Sequence, residues 1–448
     1  MRPATPSQQA LALGALFLAT FLGLSFYFLA QPVLPDGDSY YHLAIGREFS
    51  QHGIIDDLPW ARFSIMRDGF GDNQFLFHLL LAPWTAAGDA HEMGRLAVAF
   101  FNAIIVTLLA WLGLNALGWW GMLAPAFIYL GSYPFADRVS RLRPELLALT
   151  LLLLLIWFMA KRRRIALFIV AALFALAYTA WHVAAALIVF FAIADRIAEK
   201  RLDWKTPATA LGGIVLGLLV HPHFPHHLTV WWYQNALHYL NRAHLDVSTE
   251  NHPPAVMDTL LFHLPLVAAL LLYWFCTRPS SDDRDVRPAR YFLIAATLFA
   301  ILFLGMSRMV TWLIPLATLA VIFRPREIVH RRPLAAGLAL LLVAGVMQSV
   351  WIFGQGTGDP HSLEANAAAL GRVIPKDAKV AADWPEGTEL VFFAPQGRYL
   401  NVLDPTFMAL LHPREYALSK QLFNGEAIDV AATMRALDSD YILYLPNA

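Results

Sequence analysis

Residues able to do chemistry sit in four short polar stretches between long apolar runs. LPDGDSYYHL (34–43) places Asp36 and Asp38 directly after the apolar run 10–30. DRVSRLRPE (137–145) sets Arg138, Arg141 and Arg143 just before Glu145. DVSTENHPP (246–254) carries Glu250, and SRMVTWLIPL (307–316) carries Arg308 between two apolar runs. A carboxylate at a membrane surface can bind a divalent cation or take a proton from an acceptor group. Arginine suits phosphate, because its planar fork donates two parallel hydrogen bonds. Plainer readings stand beside these. Asp38 precedes a helical pattern and Asp is a favoured helix cap. The arginines could pair with acids of the first loop, and Arg308 could reach out to water along its apolar stem. HPHFPHH (221–227) offers four histidines, but their spacing fits no standard zinc pattern. Their expected place is the water–lipid boundary, with Trp231 and Trp232.

The elements that position these residues follow from composition. Of 448 residues, 58% are hydrophobic and 15% charged, against about 25% charged in an ordinary soluble domain. Apolar stretches near 10–30, 94–114, 117–132, 145–160, 165–181, 183–195, 207–220, 259–276, 291–305, 308–323 and 333–353 predict a mainly α, polytopic membrane protein with about eleven transmembrane helices. The first run is longer than a signal-peptide core and lacks an A-x-A cleavage site, so a retained helix is expected. Lys161–Arg164, Lys200–Lys205, Arg278–Arg290 and Arg324–Arg332 fall in alternate loops. Setting them inside puts the N-terminus in the cytoplasm and the C-terminal region outside. The lone Cys276 excludes an intrachain disulfide, and zero formal charge gives no case for nucleic acid.

Three long outward segments result: 31–93, 221–258 and the region from about 354. Within the first, the spacing of Tyr41, Ile45 and Phe49 predicts an interfacial helix over 38–51. In the last, KVAADW, ELVFFA, RYLNVL and YILYL read as short strands and IDVAATMRAL as a helix. The expected division is a transmembrane domain (1–353) and a small α/β extracytoplasmic domain (354–448), joined through GQGTGDP.

Taken in order, these pieces resemble the catalytic subunit of oligosaccharyltransferase and its C-type (GT-C) glycosyltransferase relatives. Asp38-Ser39-Tyr40-Tyr41-His42-Leu43 is similar to that family's catalytic acid and the interfacial helix after it. VSTE followed by NHPP (247–254) is similar to S-V-S-E followed by H-Q-P, with Glu250 at the functional glutamate. Arg308 with Pro315 resembles the R-F-x5-P helix, whose arginine meets lipid-linked pyrophosphate. Asp383-Trp384-Pro385-Glu386-Gly387, with Arg398-Tyr399 and Asp404-Pro405-Thr406-Phe407, is similar to the W-W-D-Y-G region. Two departures stand out: the family's D-x-E is here Arg143-Pro144-Glu145, and W-W-D is reduced to Asp-Trp-Pro-Glu. Fold and reaction class carry over, whereas recognition of a peptide sequon does not.

The resemblance implies a glycosyltransferase moving a sugar or oligosaccharide from a polyprenyl-phosphate or pyrophosphate donor to a lipid, glycan or protein acceptor. The implied catalytic residues are Asp38, as general base or as the acid orienting the acceptor, with Asp36 and Glu145. Arg308 and Arg143 would meet the donor phosphate. Asp38 and Glu250 are the candidates for a divalent cation (Mg or Mn), and Asp383 and Trp384 for the acceptor or tail region. Membrane lipids are the expected surroundings, and the bacterial inner (plasma) membrane the expected location. A flippase for the same lipids and a non-catalytic assembly subunit are the alternatives. A transporter would place charge at mid-membrane and show repeats, whereas here the polar groups gather at one boundary.

Overall fold

The computed structural model describes residues 5–31, 33–200, 203–245, 248–280, 285–354 and 367–443. Helix α1 (Pro6–Leu29) starts on a capping box, with Thr5 accepting from the Gln8 amide and Gln8 answering the Thr5 amide. Helix α2 (Gly37–His52) forms where the spacing predicts a helix, with Ser39–Gly46 and Phe49 buried in the protein. Helix α3 (Phe75–Ala86) was not expected, being 12 residues long with Pro83 inside it. It packs between α2 and α4 (Ala90–Leu117).

The chain reverses after α4 at Gly118, whose φ of 60° suits glycine. A 3-10 turn (Gly118–Leu123) and α5 (Ala124–Gly131) then fold back onto α4. The backbones of Gly113 and Gly121 meet so closely that a Cβ on either would overlap the other's carbonyl. In a straight helix, eight residues would separate them by about 12 Å.

Next, α6 (Tyr133–Ser140) and α7 (Glu145–Ala160) meet at 115° across Arg141–Pro144. Pro144 cannot donate a backbone bond, so the helix breaks there and the polar stretch is left at the bend. Helices α8 (Arg164–Ala177), α9 (Trp181–Glu199) and α10 (Lys205–Leu219) follow. Gly213 and Gly217 of α10, four apart, let its backbone lie against the α8 carbonyls of Phe168 and Ala172. A polar excursion contains α11 (His226–Trp231), a π-helical turn (Trp232–Leu237) and α12 (His238–Asn241). The remaining apolar helices are α13 (Val256–Phe262), α14 (Leu264–Phe275), α15 (Arg287–Phe303), α16 (Val310–Ile322) and α17 (Arg331–Gly354).

Every predicted apolar segment is therefore helical, but the expected eleven spans are not thereby established. Among the described residues, four helical stretches are long and apolar enough to cross a membrane, or five with the bent α6–α7 pair. Several others have 12–17 residues and reach only about 18–26 Å, against roughly 30 Å of hydrocarbon. The four basic loops do lie at one end of the bundle. Arg162 pairs with Glu199 and Asp203, and Lys161 with Asp285. Strand β1 (Thr277–Pro279) pairs with β2 (Arg326–Ile328).

At the other end the tail packs onto the first loop. After α18 (Ala367–Val373) comes a parallel three-stranded sheet, with β3 (Lys379–Ala381) between β4 (Arg398–Tyr399) and β5 (Tyr441–Ile442). The first loop runs along β4: the Arg62 amide donates to Tyr399 O, the Phe63 amide to Leu400 O and the Tyr399 amide to Trp60 O. ELVFFA, expected as a strand, lies within α19 (Trp384–Phe393). Asp383 caps that helix, Pro385 sits in its first turn, and Glu386 faces its positive end. Helix α19 packs on α2. Short helices α20 (Thr406–Ala409), α21 (Pro413–Phe423) and α22 (Val430–Ala436) complete the tail, the last inside the predicted IDVAATMRAL. The linker GQGTGDP lies outside the described residues except for Gly354.

Candidate active site

One cavity of about 440 Å³ gathers most of the predicted site. Asp36, Asp38, Arg143, Glu145, Glu250, Arg308 and Trp384 all line it, although they are spread from residue 36 to residue 384. Three local features bring them together: the start of α2, the break between α6 and α7, and the turn Ser307–Met309 before α16. Asp383 is not on the cavity wall. Its carboxylate accepts from the Trp384 amide at 2.8 Å as a helix cap.

Arg143 is the hub. Its Nε and Nη2 donate to the two oxygens of Asp36 at 2.6 and 2.5 Å. Nη2 also lies 3.0 Å from Asp38 Oδ2, and Nη1 donates to Glu250 Oε1 at 2.9 Å. Arg138 joins Glu145, at 3.1 Å, to Glu250. Arg308 approaches Glu250 at 3.9 Å and donates to the Tyr239 hydroxyl at 2.8 Å. Four carboxylates thus meet four guanidiniums, once Arg141 is included, 3.9 Å from Asp36 and itself held by Asp137 at 2.7 Å.

The acids are not equivalent. Asp38 is the most open, at 32% side-chain exposure against 9% for Asp36 and 15% for Glu250. Burial alone would push Asp36 and Glu250 up, but the adjoining arginines outweigh it and hold Asp36 below, and Glu250 well below, the usual carboxylate range. Asp38 goes the other way. It lines the cavity, and burial together with Asp36, Glu250 and Glu145 outweighs Arg143 and raises it to about 7. A carboxylate that titrates near neutrality, faces a cavity and has like charges behind it is poised to exchange a proton.

A divalent cation does not fit this donor set. The carboxylates that would hold it, Asp38 and Glu250, are already bridged by the Arg143 guanidinium, which a cation would have to displace. Among the described residues, no group of three or more His, Cys, Asp or Glu is placed to hold a metal ion. Arg143 also has few donors left for a phosphate, unlike Arg308, whose side chain lines the cavity and is 29% exposed. The histidines of HPHFPHH are not boundary groups as expected: His221, His223 and His227 are buried. His221 Nε2 donates to Asp72 O at 2.9 Å, and His223 Nε2 donates to Ile55 O at 2.9 Å.

Sequence reasoning missed other wall residues, among them His42, Tyr178, Gln234, Tyr239, Glu389 and Asp404. His42 and Asp404 lay inside stretches noted for their resemblance. Tyr178 follows the apolar helix α8 and Gln234 lies in the π-helical turn, and neither carries a local signal.

The fold is that of the C-type membrane glycosyltransferases. The structure is similar to the archaeal oligosaccharyltransferase AglB from Archaeoglobus fulgidus in complex with an inhibitory peptide and a dolichol-phosphate, with a TM-score of 0.68, 11% identity, and coverage of 96% of this chain and 69% of that one. It is also similar to ArnT from Cupriavidus metallidurans in the apo state (TM-score 0.59, 15% identity, 95% of each chain). ArnT bound to undecaprenyl phosphate gives a TM-score of 0.59 at 14% identity, over 94% of this chain and 90% of that one. No protein-family model and no curated protein sequence matches the chain.

Proposed function

We propose that this protein is a membrane glycosyltransferase that moves a sugar or oligosaccharide from a polyprenyl-phosphate or pyrophosphate donor to an acceptor at the outer membrane boundary. The observation that carries the reading is Asp38: a cavity-facing carboxylate with its titration raised to about 7, on the same wall as Arg308. Dolichol-phosphate and undecaprenyl phosphate in the similar structures support a polyprenyl donor.

Asp38 takes the proton of the acceptor as the acceptor atom bonds to the anomeric carbon. The bond from that carbon to the phosphate oxygen breaks, and its electron pair stays on the phosphate. Arg308, part-exposed on the cavity wall, meets that charge. Arg143 plays a different part from phosphate binding: its guanidinium supplies the positive charge that fixes Asp36, Asp38 and Glu250. Trp384 brings the tail to the cavity, where it bounds the acceptor side.

Mass spectrometry of glycolipids, glycans and glycoproteins from cells with and without the gene tests the reading. The expected result is loss of one glycan feature, restored by the intact gene. An unchanged glycan profile would overturn it.

A further inference from the structure

Four residues after Asp38, and so on the same face of α2, His42 lines the cavity although it is only 3% exposed. Its Nδ1 lies 2.8 Å from His78 Nε2, and His78 Nδ1 lies 2.7 Å from Asp72 Oδ2. Proton positions along this row follow from Asp72. Burial would raise it, but His78 and the Gln74 amide outweigh that and keep it ionised, so it can only accept. His78 must then donate from Nδ1, and with the His78 ring neutral its Nε2 accepts. His42 must in turn donate from Nδ1, and its own Nε2 carries a bare lone pair. Burial, His78 and Arg143 hold His42 well below the usual imidazole range, so the ring is neutral. That Nε2 has no hydrogen-bond partner among the described residues.

A lone pair fixed at the wall of a polar cavity needs a partner that brings a hydrogen. It cannot face phosphate oxygens, which are acceptors themselves, and the phosphate end is supplied by Arg308. One helical turn separates Asp38 from His42, about 5–6 Å between Cβ atoms. A sugar ring held with its anomeric carbon at Asp38 therefore brings a ring hydroxyl to His42. Resting on the transferase reading above, we propose that His42 Nε2 accepts a hydrogen bond from a hydroxyl of the donor sugar, with His78 and Asp72 as positioning residues that fix its tautomer.

Three measurements test this. Nitrogen NMR of histidine-labelled full-length protein in nanodiscs, with His42 assigned by difference, should show protonated Nδ1 and bare Nε2. Asp72→Asn should mix the tautomers, and a protonated Nε2 in the unaltered protein would overturn the proposal. His42→Asn keeps a donor toward His78 but removes the cavity-facing acceptor. It should cut the glycan product in complemented cells roughly tenfold at normal protein level, with partial recovery in His42→Gln, whose longer amide reaches the cavity. If Asp38→Asn abolishes product while His42→Asn stays within about twofold of normal, the His42 role is wrong and the transferase reading stands. If Asp38→Asn also leaves product intact, the transferase reading itself fails, and with it the His42 role. Finally, undecaprenyl phosphate alone should raise the melting temperature of His42→Asn as much as that of the unaltered protein. Loss of that shift would place His42 at the phosphate and overturn its assignment to the sugar.

Discussion

Two clusters of charge lie at opposite ends of α7, whose 16 residues separate them by about 24 Å. At one end Asp195 is 7% exposed and is held by Arg290 and the Tyr291 hydroxyl, both at 2.6 Å, with Glu199, Asp203, Asp285, Lys161, Arg162 and Arg287 around it. At the other end Asp36, Asp38, Glu145 and Glu250 meet Arg138, Arg141, Arg143 and Arg308. Both are dense and both are nearly neutral. They differ in where their residues face. The first ties loops together and none of its residues lines the large cavity, whereas the second forms that cavity's wall. Pairing alone therefore does not mark a site. A carboxylate left open to a cavity, with its titration raised by burial and by like charges, does.

The largest effect that would break or sharpen this contrast is expected from Asp38→Asn. Asp38 lies in the first turn of α2 behind its N-cap Asp36, and the amide keeps the size of the acid but cannot take a proton. Transfer in membranes from the cell's own lipid-linked donors should fall about 100-fold or more, with little change in melting temperature. Near-normal transfer would reduce the DGD stretch to a helix start.

Arg143→Gln should act on stability as well. It removes the fork from Asp36 and one partner from Glu250, leaving buried charge undercompensated at a cost of about 3–5 kcal/mol. Asp36→Asn added to it should recover much of the lost melting temperature, because the stranded charge is then gone. A single variant as stable as the intact protein would show that Arg141 and Arg138 suffice.

How much of this contrast was legible beforehand differs between its parts. The apolar helices announce themselves through length, and α2 through the spacing of Tyr41, Ile45 and Phe49. Asp36, Asp38, Glu145, Glu250 and Arg308 were legible as polar groups stranded at one boundary. Their meeting in one cavity was legible only through resemblance, since nothing local ties residue 38 to residue 250. Helix α3 was hidden because FLFHLLLAPWTA is too short for a span and holds a histidine and a proline. ELVFFA looked like a strand because its apolar run outweighed the cap, proline and acid just before it. The role of Arg143 depends on three carboxylates converging on one guanidinium, which is a property of tertiary structure.

Smaller still is the expected response to pH. Asp38 is active as the carboxylate and is raised to about 7, by burial first and then by Asp36, Glu250 and Glu145 against Arg143. Transfer should therefore rise about tenfold per pH unit below that value and level off above it. The residual activity of Asp38→Asn should lack this step. A step retained in the variant would assign the titration to another group.

Asp195→Asn probes the other cluster. Its amide still accepts from the Tyr291 hydroxyl but loses the charge facing Arg290, so about 1–3 kcal/mol of stability should go. Transfer per folded molecule should stay within about twofold, since the residue lies at the far end of α7 from the Asp38 cluster, about 24 Å away. A loss on the scale of Asp38→Asn would erase the distinction between the two clusters.

The smallest effect is expected from removing divalent metal. A cation shared by Asp38 and Glu250 would need the place that the Arg143 guanidinium occupies, 3.0 Å from one and 2.9 Å from the other. Entry would also add two positive charges to a cluster whose four acids already face four arginines. Exhaustive chelation, or added Mg2+ or Mn2+, should therefore change transfer by less than about twofold, a free-energy difference under roughly 0.5 kcal/mol. Manganese binding followed by electron paramagnetic resonance should find no tight site in the intact protein, and one should emerge in Arg143→Asp, which restores an acid two residues before Glu145. Transfer abolished by chelation and restored by Mn2+ would show that Arg143 yields its place to a metal, and that the two carboxylates, rather than the guanidinium between them, set the charge of the site.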